Sequence, residues 1–185
     1  YRADTDAGAT TNARVLIDVQ QAVVIASRRR YDTSKAVFRI VLDLASFTVV
    51  EENKAFLTDI VREYVHILVA NEDEAAVFTG CQDETAALEA LAEMADLAVL
   101  KLGARGSRIA ADGKVHAIAP AGADDVVDTT GAGDLWAAGF LYGLVQGLSL
   151  ERCGRLASAC GYEVCRVMGA SVPEEAWQRI RREIV

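Results

Sequence analysis

The chain has 185 residues, of which 52% are hydrophobic, and a formal net charge of -8. That content suffices for one hydrophobic core, and the negative charge argues against nucleic acid or an anionic membrane surface as a partner. Four cysteines and two histidines lack metal-ligand spacing, and no apolar run or leader pattern predicts a membrane span or a signal peptide, so we expect a soluble cytoplasmic protein.

The first part of the chain is rich in β-branched residues, and three short runs predict strands at 13–19, 22–26 and 38–44. Only about ten residues separate the last two runs, fewer than a crossover connection needs. We therefore expect that a segment is missing there, or that the chain is a truncated form.

From residue 53 the pattern alternates between helical spacing and buried strands, which is typical of an α/β protein with a parallel sheet. Asp112 and Gly113 form a hairpin signal between two further short strands. The predicted elements are helices at 53–64, 84–95, 133–146, 150–168 and 174–184, and strands at 66–70, 97–102, 107–111 and 115–119.

The most informative segment is 126–147, VVDTTGAGDLWAAGFLYGLVQG, in which a strand leads through a glycine turn into a helix. Gly131 and Gly133 lack Cβ atoms, so backbone N–H groups at the helix start can converge on an anion, assisted by the helix dipole. Asp134, in the first helical turn, is placed to accept a proton from a hydroxyl beside that anion.

An alternative interpretation is a tight turn followed by an acidic residue that stabilises the helix N-terminus. A Walker P-loop is excluded because no Lys-Ser/Thr pair follows the glycines, and the dinucleotide pattern GxGxxG is broken after Gly133. Generic nucleotide loops therefore explain the segment poorly.

The string DTTGAGD at 128–134, followed by a helix of small residues, resembles the second signature of the PfkB (ribokinase-like) family of carbohydrate and nucleoside kinases. The resemblance implies a three-layer αβα sandwich with a mostly parallel central sheet. It also implies ATP as phosphoryl donor, Asp134 as catalytic base, and an anion hole at Gly131, Ala132 and Gly133. Asp128 and Thr130 resemble the residues that hold a monovalent cation such as K⁺ in many members.

Two further segments resemble family motifs in the same order. NEDE at 71–74 looks like the NxxE motif, in which Asn71 and Glu74 organise Mg²⁺ and phosphate, although alone it is also typical of an acidic helix start. KLGARG at 101–106 resembles the nucleotide-binding GxxG loop, with Gly103 and Gly106 matched. Lys101 stands where many sugar kinases have threonine, and we predict that it contacts phosphate.

The resemblance divides the chain into a nucleotide-binding catalytic domain at 37–185 and a remnant of a β-rich lid region at 1–36. Family members are longer, and their N-terminal part supplies most sugar contacts. The pattern is most similar to the bacterial adenosine-kinase-like branch, so we expect adenosine as acceptor, with ribose, fructose or a keto-deoxy sugar as alternatives. A catalytically silent nucleotide-binding protein is the alternative from another class, and a homodimer is left open.

Overall fold

The computed structural model describes residues 14–17, 22–27 and 37–183. In this part of the chain, seven strands and six helices follow one another, with a single 3₁₀ turn at Gly103–Arg105. The strands are β1 (Arg14–Ile17), β2 (Ala22–Ser27), β3 (Val37–Asp43), β4 (Ile67–Asn71), β5 (Leu97–Lys101), β6 (Ser107–Ala111) and β7 (Lys114–Ile118). The helices are α1 (Phe47–Tyr64), α2 (Glu72–Thr79), α3 (Glu84–Ala92), α4 (Ala132–Val145), α5 (Leu150–Cys165) and α6 (Glu174–Arg181).

The strands form one sheet in which spatial order equals chain order. β3, β4 and β5 run parallel at its centre, while β1 and β2 on one side and β6 and β7 on the other pair antiparallel. Because β2 and β3 are antiparallel, they need no crossover connection. The short spacing between them therefore gives no reason to expect a missing segment there. The assumption that β2 and β3 are joined by a crossover connection was wrong.

Helices cover both faces of the sheet. Leu68 and Leu100 point toward a core beneath α1, α2 and α3, whereas Val69 and Val99 point toward a second core beneath α4 and α5. All four side chains are at most 1% exposed, as expected for parallel strands that are buried on both faces. The predicted arrangement of a sheet between two helical layers is confirmed. No helix of the described ranges is long and apolar enough to cross a membrane.

The first helix begins six residues earlier than the sequence pattern indicates, at Phe47 instead of Asn53. Asn53 has non-helical backbone angles (φ -123°, ψ 18°), which kink α1 and interrupt its hydrophobic spacing. The preceding run of Thr48, Val49 and Val50 is β-branched and reads as strand by local preference. Val50 is completely buried, so tertiary packing keeps this turn helical.

The other four predicted helices match their starts within a residue and end one to three residues earlier, whereas α2 has no counterpart among the predicted elements. α3 ends at Ala92. α5 ends at Cys165, and the chain then turns ahead of Gly169, which has φ +73°. Residues 13, 18, 19 and 184, at the ends of predicted elements, lie outside the described residues.

Glycines bring α4 and α5 into close contact. A Cβ atom on Gly139 would lie 2.8 Å from the Cys160 sulfur and 3.1 Å from the Cα atom of Ala157. Gly143 meets Cys153 in the same way one turn later, with a sulfur 2.9 Å from its Cβ position. This contact fixes the direction of α4, whose first turn carries the predicted anion loop.

We expect Gly139→Val to lower the free energy of unfolding by about 1–3 kcal/mol, because the added methyl groups force the two helices apart. Urea unfolding measures the change. The matched control is Ala138→Val at the neighbouring exposed position, which carries only the helix-propensity difference of less than about 1 kcal/mol. Equal losses in the two variants would show that the close contact contributes nothing.

Candidate active site

The carboxyl ends of the three parallel strands meet at one edge of the sheet. β3 ends at Asp43, β4 at Asn71 and β5 at Lys101. Lys101 Nζ donates to both carboxylate oxygens of Asp43, at 2.8 and 3.1 Å. Side-chain exposures of 14% for Lys101 and 23% for Asp43 show that this ion pair is largely shielded from water.

Asn71 and Glu74 are joined through a capping box at the start of α2. Asn71 Oδ1 accepts from the Glu74 backbone N–H at 2.9 Å, while Glu74 Oε2 accepts from the Asn71 N–H and Oε1 from the Asn71 side-chain amide, both at 2.8 Å. Glu74 is only 3% exposed. Burial raises the pKa of its carboxyl, against a smaller lowering by the Asn71 hydrogen bond and the Lys101 charge.

The predicted anion loop forms the N-terminus of α4. Gly131 is the N-cap residue and adopts the left-handed conformation (φ +79°), which favours glycine. Ala132 N–H donates to the Thr129 carbonyl at 3.1 Å and is not open to an anion, which corrects its predicted part in the anion hole. Since glycine has no capping side chain, the N–H groups of Gly131 and Gly133 remain open to another acceptor. A Cβ atom on Gly133 would lie 3.5 Å from Lys101 Nζ, so the ammonium group stands directly beside this turn. Asp134 is exposed in the same turn.

Asp128 holds the loop in shape from the preceding segment. Its Oδ1 accepts from the Thr130 N–H at 2.9 Å and the Thr130 hydroxyl at 2.7 Å, and its Oδ2 accepts from the Gly169 N–H at 2.8 Å. These bonds, the one from Gly169 first, lower the pKa of the Asp128 carboxyl. The carboxylate therefore connects the anion loop to the segment after α5.

The GARG loop after β5 is tied to both neighbouring helices. Gly106 has φ +91°, and a Cβ atom there would lie 2.0 Å from the Ile118 carbonyl oxygen, so only glycine fits. Arg105 donates to Glu72 at 2.7 Å and to Glu84 at 2.6 Å, at the starts of α2 and α3. Glu72, within the NEDE segment, is therefore bound to the candidate nucleotide loop.

A pocket of about 260 Å³ opens between the GARG loop, the segment 120–126 and the first turns of α4 against α5. It brings together five of the predicted site residues: Lys101, Gly103, Gly106, Ala132 and Gly133. The other six lie outside its lining: Asn71, Glu74, Asp128, Thr130, Gly131 and Asp134. The remaining lining residues are Ala104, Pro120, Ala121, Gly122, Ala123, Val126, Thr129, Trp136, Ser158, Gly161, Tyr162 and Cys165.

A family model described as pfkB family carbohydrate kinase matches residues 43–177. The chain belongs to the PfkB family.

Individual PfkB relatives and related structures agree with this assignment. A ribokinase of Arabidopsis thaliana is 38% identical over a 121-residue alignment that covers 60% of this chain and 31% of that protein. An adenosine kinase structure from Sinorhizobium meliloti has a TM-score of 0.73 and 32% identity, with 78% of this chain and 44% of that chain covered. A probable sugar kinase structure from Rhizobium etli CFN 42 has a TM-score of 0.73 and 30% identity, with coverages of 77% and 43%.

These likenesses confirm the predicted ribokinase-like α/β fold. The chain spans less than half of the length of each of the three proteins. The PfkB assignment therefore applies to the part of such a protein that the chain spans.

The sequence analysis did not identify Asp43 or Tyr162 as candidate site residues. Asp43 could have been found, because it ends a predicted strand at the edge where the motif residues meet. Tyr162, which lines the pocket and donates its hydroxyl to the Asp124 carbonyl at 2.9 Å, gave no local signal. Ser158 was noted without an assigned contact, and it lies in the pocket wall with its hydroxyl 3.4 Å from the Ala119 carbonyl.

We expect acid to remove the stabilising contribution of Asp128. Its pKa in the folded protein lies below the ordinary value of about 3.9, so the contribution is full above that pH and is lost as the pH falls through the lowered pKa. The difference in Tm between wild type and Asp128→Ala should therefore be constant above about pH 5 and shrink as the pH falls from about 5 toward about 2. Thermal unfolding monitored by circular dichroism measures it.

Asp124→Ala, at an exposed position of the same segment, is the control for general acid effects. A Tm difference for Asp128→Ala that stays constant over this range would contradict the assignment of the three hydrogen bonds to a charged carboxylate.

Proposed function

We propose that the protein transfers the γ-phosphoryl group of ATP to a primary hydroxyl of a nucleoside or sugar, with adenosine as the favoured acceptor. The observation that carries the proposal is the first turn of α4, where Gly131 and Gly133 leave backbone N–H groups open to an anion and Asp134 stands beside them. Phosphoryl transfer depends mainly on positioning and charge stabilisation, together with a base that accepts the hydroxyl proton.

Each residue of this turn has a distinct part in the proposed reaction. The N–H groups and the helix dipole stabilise the negative charge of the transferring group, and Lys101, whose ammonium lies beside Gly133, adds a positive charge. Asp134 accepts the proton of the attacking hydroxyl, which its exposure allows it to reach. The GARG loop, with Gly103 and Gly106, forms one wall of the pocket that we assign to the nucleotide.

The residues fit Mg²⁺ as an ion held largely through water and phosphate oxygens. Both Glu74 oxygens already accept hydrogen bonds from Asn71, and no three His, Cys, Asp or Glu side chains of the described ranges are grouped as a metal site. Mg²⁺ usually keeps several waters and binds through one or two carboxylates plus substrate phosphates. Mg²⁺ supplies charge neutralisation between the phosphates, and Asn71 and Glu74 orient its water shell.

Asp128 and Thr130 offer K⁺ few free acceptor positions. The Asp128 carboxylate accepts three hydrogen bonds, of about four that a carboxylate can accept. One lone-pair direction remains for a cation. We propose this site on the family resemblance, with the ordered Asp128 loop as support.

The acceptor is proposed from similarity. The adenosine kinase from Sinorhizobium meliloti is 32% identical to this chain, and the sequence pattern is most similar to that branch. The 38% identity to an Arabidopsis ribokinase favours a free sugar as the second candidate.

The four cysteines are free thiols, which agrees with a reducing cytoplasm as the proposed location. A homodimer stays a prediction.

We expect Asp134→Asn to reduce turnover about 10²–10⁴-fold while MgATP binding changes little, because only proton acceptance is removed. ADP release is measured with adenosine, ribose, fructose and 2-keto-3-deoxygluconate as acceptors. Preference for a free sugar would replace adenosine and leave the kinase assignment standing. Near-normal turnover of Asp134→Asn would overturn the role of this carboxylate, and no ADP release with any acceptor would favour a silent nucleotide-binding protein.

Glu74→Gln is expected to raise the Mg²⁺ concentration for half-maximal activity by about tenfold or more, since the charge that orients the metal shell is removed. Glutamine keeps an oxygen acceptor for the capping box. Asp73→Asn is the matched control because Asp73 is exposed, whereas Glu72 is unsuitable, since it binds Arg105 of the candidate nucleotide loop. Equal shifts for Glu74→Gln and Asp73→Asn would favour a purely helix-stabilising role.

A further inference from the structure

Lys101 and Asp43 end strands that are not neighbours, and the Lys101 side chain reaches across the end of β4 between them. Val41, Val69 and Val99 pack in the core beneath α4 and α5. Asp43 and Lys101 follow Val41 and Val99 by two residues, so both side chains stand on that same face of the sheet. Parallel pairing of the three strands therefore brings the two charges together.

The lysine ammonium occupies an electrostatically unusual position. It lies beside the first turn of α4, where a Cβ on Gly133 would be 3.5 Å from Nζ, and the positive end of the helix dipole is at this turn. A cation is unfavourable there unless an anion compensates it. Asp43 supplies one anion at 2.8 Å, and a phosphate at the anion loop would be a second anion on the other side.

A free lysine side chain is flexible and its ammonium samples many positions. The two contacts to the Asp43 oxygens, at 2.8 and 3.1 Å, restrict Nζ to the space between that carboxylate and the α4 turn. The pair is also shielded from water, which strengthens its attraction relative to an exposed pair.

We infer that Asp43 is a positioning residue that holds Lys101 against the anion loop, where Lys101 binds the phosphate chain of the nucleotide. This inference rests on the proposed kinase function. It adds to the site a residue outside the NEDE, GARG and GAGD segments. It also explains how a lysine can serve at the end of β5: its long side chain is directed by a carboxylate two strands away.

The test measures MgATP binding by the full chain, so it does not depend on the acceptor. Trp136 lines the pocket and offers a fluorescence signal, and calorimetry provides a second measurement. The variants are Asp43→Ala, Lys101→Met and the double variant, with Asp43→Asn used if the alanine variant fails to fold. The matched control is Asp96→Asn, which breaks the 3.7 Å ion pair between Asp96 and Arg39, another residue of β3.

We expect Asp43→Ala to weaken MgATP binding about tenfold and Lys101→Met at least as much, while the double variant is no weaker than Lys101→Met alone. Asp96→Asn should leave the dissociation constant unchanged. This pattern requires that Asp43 acts through Lys101, since a merely structural ion pair changes thermal stability without such coupling.

Three outcomes would overturn the inference. Unchanged MgATP binding by Asp43→Ala would show that Lys101 needs no partner, and tighter binding would show that the carboxylate acts by repelling phosphate. An equal loss on removing Asp43 in the Lys101→Met background would show an independent effect. The proposed function fails separately, if wild type binds MgATP but releases no ADP with any acceptor, and absence of MgATP binding by wild type would overturn both.

Discussion

The parallel pairing of β3, β4 and β5 is the constraint on which the rest of the site depends. It makes three consecutive strands end at one edge of the sheet, at Asp43, Asn71 and Lys101. These residues lie far apart in sequence, with a separation of 58 positions between Asp43 and Lys101. A register shift of one residue in any of the three strands would turn its terminal side chain to the opposite face.

Close packing of α4 on α5 gives the second fixed direction. Gly139 and Gly143 allow the helices to approach until sulfur and backbone atoms of α5 occupy the space of a missing side chain. The axis of α4 is thereby set, and its N-terminus is held beside Lys101. Gly161 continues this approach at the pocket, since a Cβ there would lie 3.2 Å from the Ala132 carbonyl. Small residues therefore serve both the core and the site.

The charges around the site are arranged so that most carboxylates are already engaged. Asp128 binds backbone and hydroxyl donors, Glu74 binds Asn71, and Glu72 binds Arg105. Asp134 is different, because it is exposed in the first turn of α4 and appears in no ion pair found among the described residues. That difference separates a carboxylate suited to exchange a proton from carboxylates that order loops. It supports the proposed assignment of Asp134 as the base.

The sequence alone indicated the local geometry of the loops and the class of the fold. The DTTGAGD string, NEDE and GARG are contiguous, and their glycines and acidic residues dictate local backbone geometry whatever surrounds them. The alternation of helix and strand from residue 53 likewise indicated an α/β protein with a parallel sheet, because hydrophobic periodicity reflects burial along one segment. Local preference failed at Phe47 to Asn53, where β-branched residues are helical only because Val50 is buried.

Only the tertiary structure decided which separate segments meet. The pairing of Asp43 with Lys101 depends on strand order and direction, and the contact of Arg105 with Glu72 and Glu84 depends on how a loop folds over two helices. The antiparallel pairing of β2 with β3 was equally hidden, since a strand's own residues carry no record of its partner's direction. The position of Tyr162 in the pocket was hidden for the same reason. It is set by the approach of α5 to α4, which is a property of two helices and not of either sequence segment.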